Sequence, residues 1–153
     1  MTDHTLGFTL VRNLDARPER IWNAWTRADE AAEWWHPRGA TTPRESVEIN
    51  PTVGGTYRYT MVDQMSGAEV VTGGEYTMVE PFTTLAFSWG HLDAAVDDSP
   101  LVTVTIDDLG DLARLNFDIR GVEGMKGDGY FYDGWDSVLD SLAAYLGQSA
   151  VHG

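Results

Sequence analysis

The chain predicts an α+β fold in which a curved antiparallel sheet wraps one long C-terminal helix, with two short helices after the first strand. Three observations carry this. Two tryptophan clusters bracket the chain: Trp22 and Trp25 lead to Trp34-Trp35 near the start, and Gly134-Trp135 lies near the end. Between them, short runs alternate apolar and polar side chains, the period of half-buried strands. The last stretch instead carries apolar residues at helical spacing over ~19 residues, about 28 Å of helix and long enough to cross a sheet.

The elements follow in order. Phe8 to Asn13 reads as a first strand, ended by Arg17-Pro18, because the residue before proline avoids the helical region while proline suits a first helical turn. A short helix is expected from Pro18 to Thr26, with Ile21, Trp22 and Trp25 on one face. A second starts at Asp29 as cap, with Glu30 and Glu33 following, and ends before Pro37; Arg38-Gly39 opens a loop. Ser46 to Asn50 is a short strand, and Val53-Gly54-Gly55 turns into Thr56 to Met61, where Tyr57, Tyr59 and Met61 share a face. Ser66-Gly67 is a hairpin turn to Glu69 through Val79, with a bulge expected at Gly73-Gly74.

Glu80-Pro81 turns the chain into Thr84 to Trp89, with Leu85, Phe87 and Trp89 on one face, and an acidic loop runs from His91 to Pro100. Val102, Val104 and Ile106 then pair through a turn at Asp107 to Asp111 with Ala113, Leu115, Phe117 and Ile119, a hairpin with one buried and one wet face. The final helix, Asp128 to Leu146, carries Phe131, Trp135, Val138, Leu139, Leu142 and Leu146 on one stripe and Asp133, Asp136 and Asp140 on the other, with Gly147 where a C-terminal cap belongs. The sum is a seven-stranded sheet.

At 153 residues the chain fits a single domain, expected over residues 6–147 with 1–5 and 148–153 as flexible termini. The 24 acidic against 10 basic residues, a formal charge of -14, would repel phosphate backbones and anionic headgroups, so neither nucleic acid nor a membrane is an expected partner. With no cysteine there is no disulfide or thiolate metal site. The start of the chain has no basic region or apolar run, and no stretch reaches the ~20 apolar residues of a membrane span, which points to a soluble, cytoplasmic protein.

In this order the elements resemble the START-like (SRPBCC) superfamily with its helix-grip fold, and within it the AHSA-type family named for the activator of the heat-shock-protein-90 ATPase. The matching residues are Pro18-Glu19-Arg20-Ile21-Trp22, Trp34-Trp35 followed by Pro37, Gly54-Gly55-Thr56-Tyr57, Gly74-Glu75-Tyr76 through Glu80-Pro81, Leu85 to Trp89, Leu101 to Thr105, and Gly134-Trp135 with Leu139 and Leu142. Each is weak alone; together they cover residues 8 to 146. The superfamily includes lipid carriers, hormone-binding proteins, polyketide cyclases and co-chaperones, so the resemblance implies a fold more firmly than a function. A separate N-terminal domain like that of the eukaryotic co-chaperones is not in the sequence, which points away from chaperone activation.

In a sheet wrapped on one helix, a ligand space lies between the two. Its expected wall is Trp34 or Trp35, Tyr57, Tyr59, Phe87, Trp89, Phe117, Tyr130, Phe131 and Trp135, with Gly134 letting the helix approach the sheet closely. Core packing explains each of these aromatics equally well. His36 and His91 are the histidines outside the termini and could act as acid or base; Glu75, beside paired glycines, is the carboxylate expected to point inward. The spacing offers no metal ligand set, and no motif calls for a cofactor.

The leading reading is therefore binding of a small hydrophobic or amphipathic molecule without covalent chemistry. A cyclase- or hydrolase-like enzyme would instead bring His36, Glu75, Tyr57 and Tyr59 together in the cavity. A protein-interaction module or homodimer would show an exposed apolar patch.

Overall fold

A computed structural model describes residues 4–90 and 95–152. Among these residues eight strands, all antiparallel, form one curved sheet in the order β1-β8-β7-β6-β5-β4-β2, with β3 added against β4. The strands are β1 (Gly7–Leu14), β2 (Ala40–Thr41), β3 (Glu48–Ile49), β4 (Thr56–Asp63), β5 (Glu69–Glu80), β6 (Thr84–Ser88), β7 (Leu101–Asp108) and β8 (Ala113–Arg120); the helices are α1 (Pro18–Thr26), α2 (Ala28–Trp34) and α3 (Phe131–His152). This is the helix-grip architecture. No helix among the described residues is long and apolar enough to cross a membrane.

The core follows the alternation in the sequence. Phe8, Leu10 and Leu14 of β1, Val102, Val104 and Ile106 of β7, and Leu115, Phe117 and Ile119 of β8 are buried against Trp135, Val138, Leu139, Leu142 and Leu146 of α3. Arg12 occupies an inward position of β1 and is half-buried. Its guanidinium pairs with Asp136 of α3 and reaches Asp140 at 3.7 Å, so the polar side of the helix is tied to the sheet as well.

Several boundaries differ from the sequence reading, each for a local reason. Residues 40–41 form a short strand where a loop was expected, because Ala40 and Thr41 pair with Asp63 and Val62 beyond the end of β3. Residues 44–46 form a 3-10 turn, leaving only Glu48–Ile49 of the strand expected at Ser46 to Asn50. Helix α2 begins one residue before Asp29, which lies in its first turn and pairs with Arg44 instead of capping. Helix α3 begins at Phe131; Asp128 precedes it and accepts the N–H groups of Tyr130 at 2.8 Å and of Tyr132 and Asp133 at 3.3 Å, satisfying the free donors of the first turn. The helix then runs through Gly147 to His152, so that glycine is no cap.

Strand β5 spans both halves of the sheet, pairing with β4 through Thr72, Gly73 and Gly74 and with β6 from Tyr76 onward. The expected bulge at the paired glycines is displaced: pairing with β4 is regular there, and the register shift lies between Tyr76 and Met78 against β6. Gly74 serves close approach. A Cβ there would lie 1.9 Å from the Ser88 carbonyl oxygen, a distance no side chain tolerates.

Candidate functional site

Two aromatic groups fill the space between sheet and helices. In the first, Trp34 and Trp35 stack with centroids 5.6 Å apart, Trp25 meets Trp34 edge-on at 4.6 Å, and Tyr57, stacked on Trp35 at 5.5 Å, meets Phe87 edge-on at 5.1 Å. All five side chains are buried, and the Trp34 indole N–H donates to the Ala24 carbonyl of α1 at 3.0 Å. In the second, Trp89 meets Trp135 at 5.2 Å and Phe131 at 5.9 Å, and Trp135 packs on Phe117 at 4.5 Å. Tyr59 joins the groups: its ring stacks on Trp35 at 4.7 Å and its hydroxyl accepts the Trp89 indole N–H at 3.0 Å.

A pocket of about 110 Å³ opens at the second group; of the first, Tyr57 borders a separate groove on its Ser88 side. Its wall is Tyr59 and Met61 from β4, Trp89 after β6, Pro37 after α2, and Tyr130, Phe131, Gly134, Trp135 and Val138 at the start of α3. On the other side of Trp89 lies a groove of about 340 Å³, lined by Val70, Val71 and Thr72 of β5 and by Gly90 and residues 98–100. Met61, Trp89 and Phe131 belong to both spaces. Among the described residues, no lysine, arginine or histidine lines either one.

Of the expected wall, Tyr59, Trp89, Tyr130, Phe131, Gly134 and Trp135 therefore surround the pocket. Trp34, Trp35, Phe87 and Phe117 do not, because their faces are taken up by neighbouring rings and they are fully packed core. Tyr57 is also withdrawn from this pocket, since its hydroxyl donates to the Ser88 carbonyl at 2.7 Å. Gly134 has a different role from the one expected. A Cβ there would meet nothing within 4 Å, so the glycine does not bring helix and sheet together; it leaves the pocket open. Gly147 has equally clear surroundings but lines no such space.

Pro37, Met61 and Val138 were not anticipated as wall, although the signals were in the sequence. Met61 continues the Tyr57–Tyr59 alternation, and Val138 follows Gly134 and Trp135 at i+4 and i+3 on the helix. Tyr130 and Phe131, expected among the aromatic wall, are exposed at the pocket rim.

The polar candidates do not converge. His36 is half-buried beside Thr42, whose hydroxyl donates to the Trp35 carbonyl at 2.8 Å and so accepts from His36 Nδ1–H at 3.1 Å, which sets the neutral tautomer. Burial lowers the His36 pKa below 6.5, partly opposed by the charge of Glu33. Glu75 pairs across the strands with exposed Thr56 and lines a separate, mixed-polarity groove with Glu48 and Arg58. Among the described residues no hydrogen bond or ion pair joins Glu75 to His36, and the two share no pocket. His91 lies outside the described residues. No group of three His, Cys, Asp or Glu is placed to hold a metal ion among the described residues.

Burial also pushes the Tyr59 hydroxyl far above its usual range, against a smaller opposing effect of the Trp89 N–H. The Trp35 indole N–H acts in the same lowering direction, although it does not reach hydrogen-bond geometry. Tyr59 thus remains a protonated phenol, a donor and not a base.

The fold defines a helix-grip protein. The chain belongs to the Activator of Hsp90 ATPase homolog 1-like family, whose model matches residues 15–147. Among solved structures it is similar to a protein from Chromobacterium violaceum, 27% identical, with 90% of this chain and 95% of that one covered and a TM-score of 0.77. It is also similar to the AHSA1 protein of Silicibacter pomeroyi, at 26% identity, 94% and 99% coverage and a TM-score of 0.78. A Nitrosomonas europaea protein shares the fold at 17% identity, 97% and 99% coverage and a TM-score of 0.81. A comparison with curated proteins gives no significant match.

Proposed function

We propose that the protein binds a small hydrophobic or amphipathic molecule in the pocket between β4, Trp89 and the first turns of α3, without covalent chemistry. The observation that supports this most is Gly134. A glycine in a helix costs about 0.5–1 kcal/mol relative to alanine, and here no steric contact requires it, while its absent side chain is the space of the pocket. The surrounding rings supply apolar area, and His36 and Glu75 stand outside it, so the pocket has the composition of a binding site and lacks a pair of groups for proton transfer.

The test is a thermal-shift screen of small neutral metabolites and lipids against the protein and Gly134→Leu. A ligand at a hundred-fold excess over its Kd should raise the Tm by about 5 °C or more, and the leucine, which fills the pocket, should abolish the shift. Equal shifts in both proteins would place binding elsewhere; no shift from any compound would remove the reading.

A further inference from the structure

Within the binding reading above, on which this inference rests, the pocket wall also sets what part of a ligand enters and how far. That wall is almost wholly carbon. The polar tips of its inner rings are paired or hidden: Trp89 Nε1–H donates to Tyr59 Oη at 3.0 Å, and Trp135 Nε1 is buried without accessible surface. A polar ligand atom pushed inside would exchange its hydrogen bonds to water for none. The space therefore fits a hydrocarbon group, with the polar remainder of the molecule left at the rim beside exposed Tyr130 and Phe131.

Pocket and groove meet at Met61, Trp89 and Phe131, which line both. Trp89 is the largest of the three; it is half-buried, and its ring stands edge-on to Phe131 and Trp135. Its backbone is fixed on both sides, since its N–H donates to the Pro100 carbonyl at 2.9 Å and Gly90 exchanges two hydrogen bonds of 3.1 Å with Gly73. The indole can change place only by side-chain rotation, which the bond to Tyr59 opposes. Tyr59 is itself held, buried and stacked on Trp35 at 4.7 Å. We infer that Trp89 limits the length of the ligand: latched by Tyr59 Oη, its indole parts the pocket from the groove, so the protein takes the hydrocarbon end of an amphipathic molecule only to the depth of the pocket. Tyr59 is a positioning residue that acts through Trp89. An apolar cavity of about 150 Å³ holds a benzene, so by proportion a space of about 110 Å³ takes about four carbons.

The experiment measures binding of the 1-alkanols from 1-propanol to 1-octanol by NMR, following the Gly134 amide and the Trp89 indole N–H, in the wild type, Trp89→Ala, Tyr59→Phe and Gly134→Leu. In the wild type, affinity should rise roughly four-fold per methylene and level off near 1-pentanol, where the pocket is full. 1,5-Pentanediol, with a hydroxyl at each end, should bind about ten-fold more weakly than 1-pentanol. In Trp89→Ala the same rise should continue through 1-heptanol, as the chain passes into the groove. Tyr59→Phe, which keeps the stacked ring, should move the break beyond 1-pentanol and shift the Trp89 indole resonance upfield as its hydrogen bond is lost; it carries the test if Trp89→Ala does not fold. The position of the break is what is read, so a general loss of affinity or stability does not imitate the result.

A break at the same length in Trp89→Ala as in the wild type, or no break in the wild type up to 1-octanol, would overturn Trp89 as the limit while leaving the pocket reading intact. A break moved by Trp89→Ala and not by Tyr59→Phe would overturn the latch. 1,5-Pentanediol binding as tightly as 1-pentanol would overturn the hydrocarbon character of the bound group. Failure of every alkanol to bind the wild type, or binding by Gly134→Leu indistinguishable from it, would remove the pocket reading itself.

Discussion

The two aromatic groups of this protein are built from the same residue types, yet one is solid and the other encloses a space. Around Trp34 and Trp35, the two indoles stack on each other and Trp35 stacks on Tyr57 and Tyr59 as well, and the indole of Trp34 is anchored to the last turn of α1. Around Trp89 and Trp135, rings meet edge-on, and Gly134 supplies no side chain where one would fit. Aromatic content alone therefore does not distinguish core from site. What separates them is whether the facing element brings a side chain or withholds one.

The largest expected effect breaks the comparison by truncation. Trp34→Ala should destabilise the fold by about 3–5 kcal/mol, as for other buried large-to-small changes, whereas Phe131→Ala at the pocket rim, where the ring is already 41% exposed, should cost about 1 kcal/mol. Urea unfolding of both variants checks this; equal losses would mean that the second group is as tightly packed as the first. An intermediate effect of opposite sign is expected at Gly134. Replacement by alanine should stabilise the protein by about 0.5–1 kcal/mol, since the added methyl meets nothing within 4 Å. Destabilisation by that variant would show that the space is not free.

The smallest effect belongs to His36, at the junction of the two regions. Its pKa is lowered by burial, so the unfolded chain binds its proton at a higher pH than the folded protein does. This group's contribution is thus fully present above 6.5 and is lost as pH falls from there through the folded pKa. His36→Asn, which keeps a donor toward Thr42, should flatten the fall in stability just below pH 6.5, measured by urea midpoints across that range. An unchanged slope would show that the imidazole is solvated in the folded state.

Much of this arrangement could be read from the sequence because it follows from period and punctuation. The alternation at Val102–Ile106 and Ala113–Ile119 defines a half-buried hairpin, and Pro18 marks the start of α1 where the structure has it. Elements determined by partners distant in the chain were not legible. The two residues of β2 carry no pattern of their own and exist because β4 extends past β3 to meet them. The same holds for the site. Trp35 and Tyr59 both face inward, and only their neighbours decide that one is enclosed by rings while the other also borders a void. Gly134 was legible as an unusual helix residue, but its meaning required knowing that nothing stands opposite it.

The most direct test of that contrast is a crystal structure of the protein under xenon pressure, since xenon enters empty apolar cavities without needing any polar contact. Xenon density is expected between Gly134, Tyr59 and Trp89 and absent around Trp34 and Phe87. A structure with no xenon at Gly134, and with the ring of Trp89 or Phe131 turned into that space, would show that the second aromatic group is core like the first and would contradict the account.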